Sequence, residues 1–370
     1  MCNMLKVAHV IRVFSYGGAE ISLKEILSTE SFRHNIVSDL FVLDHKKLGL
    51  VIQTRPNIRN CYIYKMATPM LLWEFFRFIK KLAQNKYDIV HMHLSVAGWM
   101  GITAKIFSPK TRFVFTEHTL ISSLKGYNYI FSGISYGFND CVISVSEEVS
   151  DEIKKCQKRY LFNRRKAVTI LNGVDTGRFN VPERLASPVN ENLIVGLVAR
   201  LRPHKRLDKW MEIAEEIHRR NKMIRFVIVG DGPEFNLLRQ YVDIHHLNGI
   251  VELAGRAEDT LNAYKHIDVF LLTSDLEGQP LALMEAMSCG CVPAVNNVGG
   301  IKQLRFDGIG FKFSEYDTAE IAKKIIDYSD HRDKYANESR LARAFAVQSF
   351  SLNQQADAII TLYKNLLKHR

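Results

Sequence analysis

Residues 269–287 read VFLLTSDLEGQPLALMEAM, and strand, loop and helix follow one another in them. Val269 to Thr273 is a short apolar run, the composition of a strand buried on both faces. A loop with Gly278 comes next, and Pro280 suits the first turn of a helix over residues 280–289. This is half of a βαβ unit, and open parallel sheets bind ligands at the loops beyond the carboxyl ends of their strands. Glu277 stands in that loop. Glu285 lies about one and a half turns into the helix, ~7–8 Å of axial rise beyond Pro280. A helix N-terminus favours phosphate, and carboxylates bracketing it accept hydrogen bonds from hydroxyls. The stretch therefore suits a ligand with a hexose at one end and a ribose at the other.

The same alternation extends in both directions. Apolar runs at 193–199, 225–229, 250–253 and 292–295 form one series with 269–273. Runs at 7–13, 39–42, 89–93, 113–116, 141–145 and 167–171 form another, and helical patterns intervene at 19–27, 147–156, 207–219 and 234–241. Such alternation is that of α/β units with parallel sheets. A chain of 370 residues also exceeds what one core usually serves. The two series meet at residues 172–191, a polar segment with two prolines that reads as the inter-domain connection. We expect an N-terminal domain over residues 1–175, a C-terminal domain over 190–350, and a last helix at 352–369.

Hydrophobic residues make up 47% of the chain and charged residues 24%, an ordinary globular balance. No run reaches the ~18–20 uncharged apolar residues that span a bilayer, and the first residues lack the layout of a signal peptide. Six scattered cysteines without a zinc-type C-x-x-C pair argue for a reducing compartment. The net charge is +11; residues 1–185 carry 26 Lys and Arg against 15 Asp and Glu, and residues 186–370 carry 24 of each. A basic N-terminal half points to an anionic contact, either a membrane surface or an acidic substrate. Nucleic acid is not expected, because the basic residues are dispersed and no binding-module signature occurs. A dinucleotide oxidoreductase is disfavoured by the lack of Gly-x-Gly-x-x-Gly after the first strand.

Other residues fall at strand ends. Arg200 and Lys205 follow the strand at 193–199 and precede a helix, an arrangement of cations and helix dipole that suits a diphosphate. Gly17 and Gly18 follow the first strand and admit a phosphate close to the backbone. His118 lies just past the strand at 113–116. His91 and His93 share one strand face, a metal pair in principle, but the sequence suggests no third ligand nearby and no metal is expected.

Arg200-x4-Lys205, Glu277-x7-Glu285, the Gly17-Gly18 loop, Asp88-Ile-Val-His-Met-His93, Val145-Ser146, Asn172-Gly-Val-Asp175 and Val229-Gly-Asp-Gly-Pro233 stand in one order. In this set the chain resembles the retaining glycosyltransferases of family four (glycosyl transferases group 1) over nearly its whole length. The resemblance implies the GT-B fold: α/β, two facing Rossmann-like domains with parallel sheets, and a C-terminal crossover helix, here 352–370, returning to the N-terminal domain. By position it implies that Arg200 and Lys205 hold the donor diphosphate, Glu277 the sugar hydroxyls and Glu285 the ribose. Gly278, Gln279 and Leu281 would line sugar or phosphate, and Gly17 and Gly18 would approach the phosphates. His118 matches the family histidine near the transferred sugar, which makes His118, Glu277, Arg200 and Lys205 the catalytic candidates. Two loops depart from the family pattern. Glu277-Gly278-Gln279-Pro280 replaces the common Glu-Gly-Phe-Gly, and Pro280 offers no N–H. Gly299-Gly300-Ile301-Lys302-Gln303 replaces the frequent Gly-Gly-x-Pro-Glu.

The expected reaction moves a hexose from a nucleotide-diphosphate sugar, with a UDP-sugar favoured, to an acceptor hydroxyl. No Asp-x-Asp occurs, so cations and a helix dipole are expected to offset the charge on the leaving phosphate, with neither metal nor cofactor. The resemblance implies retention, by front-face attack. Segment 68–82, TPMLLWEFFRFIKKL, reads either as an interfacial membrane helix or as a helix packed on the sheet. Together with the charge asymmetry it favours a cytoplasmic enzyme, peripheral on the inner face of the membrane, that extends a lipid-linked saccharide in cell-surface polysaccharide synthesis. The aromatic stretch at 127–138 is assigned to the acceptor side. Competing readings are a soluble small-molecule acceptor, a sugar-nucleotide epimerase and a non-catalytic binder of the same fold.

Overall fold

The computed structural model describes residues 4–15, 17–44, 58–66, 71–94, 97, 103–124, 127–159, 166–182 and 192–368. The chain divides into two compact units, residues 1–173 with 352–370 and residues 174–351.

Among the described residues the first unit holds seven strands: β1 (Leu5–Ile11), β2 (Ile36–Val42), β3 (Asn60–Ile63), β4 (Ile89–His93), β5 (Arg112–Glu117), β6 (Cys141–Ser144) and β7 (Lys166–Thr169). Their order is β3-β2-β1-β4-β5-β6-β7 and every pairing is parallel. The chain winds outward in both directions from the β1–β4 junction, the switch point at which such sheets open a crevice. Val7 to Ile11 and all of β4 are buried, and apart from His9, His91 and His93 these positions are apolar, as in strands covered on both faces. Its described helices include α1 (Gly18–Ser28), α2 (Glu30–Asn35), α3 (Leu71–Asn85), α4 (Tyr127–Phe138) and α5 (Glu147–Arg159). Thr29 separates α1 from α2 and caps the latter, its Oγ1 accepting from Phe32 N at 3.3 Å.

The second unit is a six-stranded parallel sheet in the order β10-β9-β8-β11-β12-β13. Along the chain it runs β8 (Ile194–Val198), α6 (Leu207–Arg220), β9 (Arg225–Val229), α7 (Phe235–Ile244), β10 (Val251–Gly255), α8 (Thr260–Tyr264), β11 (Val269–Leu272), α9 (Leu281–Ser288), β12 (Val292–Asn296), β13 (Phe311–Phe313), α10 (Thr318–Asp330) and α11 (Arg332–Ser349). Trp210 of α6 is fully buried and donates its indole N–H to Leu271 O at 3.1 Å, tying α6 to the central strand. The last helix, α12 (Leu352–Lys368), belongs to the first unit. It buries Ile359, Ile360 and Tyr363 in that unit's core, and Gln355 Oε1 accepts from Gly173 N at 2.8 Å.

All eleven strands expected from the sequence coincide with observed ones, with ends displaced by up to three residues. Pro280 is the residue before α9, not part of its first turn; its carbonyl accepts from Leu283 N at 3.2 Å. The polar connection is less open than its composition suggests. Val174, Phe179 and Val181 are buried in the second core, and residues 183–191 lie outside the described ones. So do residues 68–70, at the expected start of α3, and His369. Among the described residues no helix is long and apolar enough to cross a membrane.

Candidate active site

In the second unit, the loops that follow β8 and β11 are joined by hydrogen bonds. Asp275 N donates to His204 O at 2.8 Å, and Thr273 Oγ1 lies 2.9 Å from Lys205 O and 3.0 Å from Arg206 O. Tyr316 OH donates to Thr273 O at 2.7 Å. Residues Pro203–Lys205 form a 3-10 turn, and Arg206 then adopts a left-handed conformation (φ 49°, ψ 53°) immediately before α6. That conformation costs a non-glycine residue ~1–2 kcal/mol. Arg206 is held in it by Asp208 at 2.9 Å, Asp275 at 3.2 Å and the face of Tyr316 at 5.3 Å.

The consequence is a direct ion pair between two of the expected site residues. Lys205 Nζ lies 2.6 Å from Glu277 Oε1, with side chains 15% and 9% exposed. Glu277 is pressed from behind by the turn at 299–300. Gly299 has φ +53°, a Cβ there would stand 1.7 Å from Glu277 O, and Gly300 N donates to the same oxygen at 3.0 Å. Only glycine fits, because the backbone itself occupies the space. Glu285 is buried and accepts from Tyr264 OH at 2.8 Å. Burial, and then the Glu285 carboxylate, push this phenol's pKa far above its usual value. Gln279 and Pro280 are buried, Gly278 and Leu281 are half-buried, and Arg200 is exposed beyond the end of β8. The first N–H groups of a helix have no partner within it, so the start of α9 offers donors beside Lys205 and Glu277.

The first unit carries a group of its own. Gly17 caps α1, and a Cβ there would meet Glu20 Oε2 at 2.3 Å, so the missing side chain makes room for the Glu20 carboxylate in the first turn. The space above Gly18 is open to 4 Å. His118 follows β5, and the wholly buried Glu117 organises its backbone. Glu117 Oε1 accepts from His118 N (3.1 Å), Thr119 N (3.2 Å) and Thr119 Oγ1 (2.9 Å), and Oε2 accepts from Tyr136 OH of α4 at 2.8 Å. Burial raises the Glu117 pKa and these hydrogen bonds oppose the rise. Burial pushes the His118 pKa down to about 4, so its ring is neutral at pH 7.

Several residues of these arrangements escape sequence reading. Thr273 and Gly299 stand inside motifs already singled out, yet what they touch depends on loops far away in the chain. Tyr264, Tyr316, Arg206 and Glu117 carry no pattern that marks them.

Two parallel-sheet Rossmann-like units bearing these loops define the GT-B class of glycosyltransferases. The family model for glycosyl transferases group 1 matches residues 180–345, and that for glycosyltransferase family 4 matches residues 38–178. The chain belongs to this family and is a nucleotide-sugar glycosyltransferase. It is 27% identical to the UDP-Gal:alpha-D-GlcNAc-diphosphoundecaprenol alpha-1,3-galactosyltransferase of Escherichia coli, over 100% of this chain and 99% of that protein. It is 32% identical to the putative colanic acid biosynthesis glycosyltransferase WcaL of Escherichia coli, over 52% of this chain and 49% of that one. Among solved structures, Anabaena HepE in complex with UDP-glucose superposes with a TM-score of 0.82 at 19% identity, covering 98% of this chain and 100% of that one. Sucrose-phosphate synthase from Thermosynechococcus elongatus gives 0.79 at 18% identity, covering 99% and 100%. At these identities the structural likeness is one of fold.

Proposed function

We propose that the protein transfers a hexose from a UDP-sugar to a hydroxyl of a lipid-linked saccharide, with retention of anomeric configuration and without a divalent metal at the diphosphate. The observation that carries this reading is the Lys205–Glu277 pair beside the start of α9. Lys205, Arg200 and the helix dipole supply positive charge where the departing phosphate becomes negative. Glu277 accepts hydrogen bonds from sugar hydroxyls, Glu285 takes the ribose, and Gln279 and Leu281 line the sugar. The acceptor oxygen bonds to the anomeric carbon as the bond from that carbon to the distal phosphate oxygen breaks. The acceptor proton passes to that phosphate oxygen, and the products are a glycoside and a nucleoside diphosphate. His118, held neutral, serves as a hydrogen-bond partner of the transferred sugar and not as a cation.

Two observations support the lipid-linked acceptor at the cytoplasmic face of a membrane, within cell-surface polysaccharide synthesis. The Escherichia coli relative named above acts, by its name, on a diphosphoundecaprenol-linked sugar. Helix α3 buries Phe78 and Leu82, yet Leu72, Trp73 and Phe76 are exposed. Beside them Arg77, Lys80 and Lys81 line a groove of about 430 Å3 with Tyr62 and Tyr64. An exposed apolar stripe flanked by cations and tyrosines suits an anionic interface.

The test is transfer from radiolabelled UDP-sugars to a polyprenyl-diphosphate-linked saccharide in EDTA, with the product's anomeric proton read by NMR. The expected result is a retained configuration at an undiminished rate. An absolute requirement for Mg2+ or Mn2+, an inverted product, or transfer only to soluble saccharides would overturn the corresponding part. Leu72→Ser/Phe76→Ser is expected to lose sedimentation with anionic vesicles while keeping donor binding; unchanged sedimentation would exclude the membrane contact.

A further inference from the structure

We infer that His9, His91 and His93 form a binding site for a divalent transition-metal ion of the zinc class within the first unit. His91 and His93 alternate on β4, and His9 is the residue aligned with His91 on the neighbouring strand β1. The third imidazole therefore comes from across the switch point. All three side chains are buried, and each offers a ring nitrogen within 4.8 Å of the other two. The tightest pair, His9 Nδ1 and His93 Nε2, is 3.4 Å apart. Two nitrogens bound to one tetrahedral zinc at ~2.0–2.1 Å are themselves ~3.4 Å apart.

Two further features favour an ion. The rings border a void of about 20 Å3, room for one water-sized occupant that could complete a tetrahedral shell. Finally, His91 is flanked by two hydroxyls, Tyr363 OH at 2.5 Å from Nδ1 and Thr116 Oγ1 at 2.6 Å from Nε2. One of these would release its nitrogen to the ion and the other would orient the ring, as oxygen partners do for metal-bound histidines. An all-imidazole set selects Zn2+, Co2+, Ni2+ or Cu2+ over Mg2+ and Ca2+. The ion would cross-link β1 and β4 beneath α12 and stabilise the first unit.

The experiment titrates the full-length, EDTA-stripped protein with Co2+ and then Zn2+. The expected result is one equivalent of Co2+ with the intense visible absorption of four-coordinate cobalt, displaced by Zn2+ and accompanied by a rise in melting temperature. His9→Gln and His93→Gln are each expected to abolish the spectrum, and Tyr363→Phe to weaken binding about 10–100-fold. Binding unchanged in His9→Gln, or below a tenth of an equivalent in the wild type, would overturn the inference. If the glutamine variants do not fold, anomalous diffraction from zinc-soaked wild-type crystals decides: a peak among the three rings supports the site, and a water there, with zinc only elsewhere, refutes it.

Discussion

Replacing Lys205 by Met keeps the side chain's length and removes the charge that holds Glu277. The two groups are 2.6 Å apart and nearly closed off from solvent, at 15% and 9% exposure. With an effective dielectric near 20, the gross attraction at that distance is about 6 kcal/mol, and desolvation of the two ions offsets most of it. Removing the lysine alone leaves the carboxylate stranded. Loss of one partner from a buried pair costs ~3–5 kcal/mol, and the residual exposure of Lys205 places this site near the lower end, about 3 kcal/mol. Lys205→Met/Glu277→Gln removes both charges and should recover at least ~1.5 kcal/mol relative to additive single effects. The assay is urea unfolding of the full chain with Trp73 and Trp99 changed to Phe. Buried Trp210, in the same unit as the pair, then reports alone. Single variants within ~0.5 kcal/mol of the parent, or an additive cycle, would refute the reasoning.

Other consequences are open to measurement. Gly299→Ala should destabilise the second unit by more than ~2 kcal/mol and raise the donor KM, because a Cβ would meet Glu277 O at 1.7 Å; thermal unfolding and steady-state kinetics check both. Glu117→Gln should cost ~1–3 kcal/mol and lower kcat about tenfold with donor affinity unchanged, because an amide cannot accept from all the groups that the carboxylate holds at the His118 turn. The His118 pKa is depressed from 6.5 to about 4. The unfolded chain therefore binds a proton at this residue below pH 6.5, and the folded chain only near pH 4. Stability contributed by this ring is complete above pH 6.5 and falls by about 2 kcal/mol between pH 7 and pH 5. His118→Gln should flatten that part of the pH–stability curve.

The central strands were legible because both of their faces are buried, which forces apolar, β-branched runs. Strands β3 and β13 were not, because Asn60–Ile63 has no buried residue and Phe311–Phe313 is only three residues long. At the candidate site, the spacing of Glu277 and Glu285 around a helix start could be read directly. The pairing of Glu277 with Lys205 could not. It arises because β8 and β11 are neighbours in the sheet while two strands separate them in the chain, and local pattern carries no strand order. His9 joins His91 and His93 for the same reason, through the β1–β4 junction. The role of Gly17 was legible only in part, since its closest neighbour is the carboxylate of Glu20, three residues on.

The most direct test of donor binding through Arg200 and Lys205 is the thermal shift of the wild-type protein with UDP-, GDP-, ADP- and TDP-sugars in EDTA. A ligand at 100 times its Kd adds about 2.7 kcal/mol to the folded state. The account predicts a clear rise in Tm with UDP-sugars, kept in EDTA and lost in both Arg200→Ala and Lys205→Ala. No shift with any sugar nucleotide, or a shift undiminished in both variants, would contradict it.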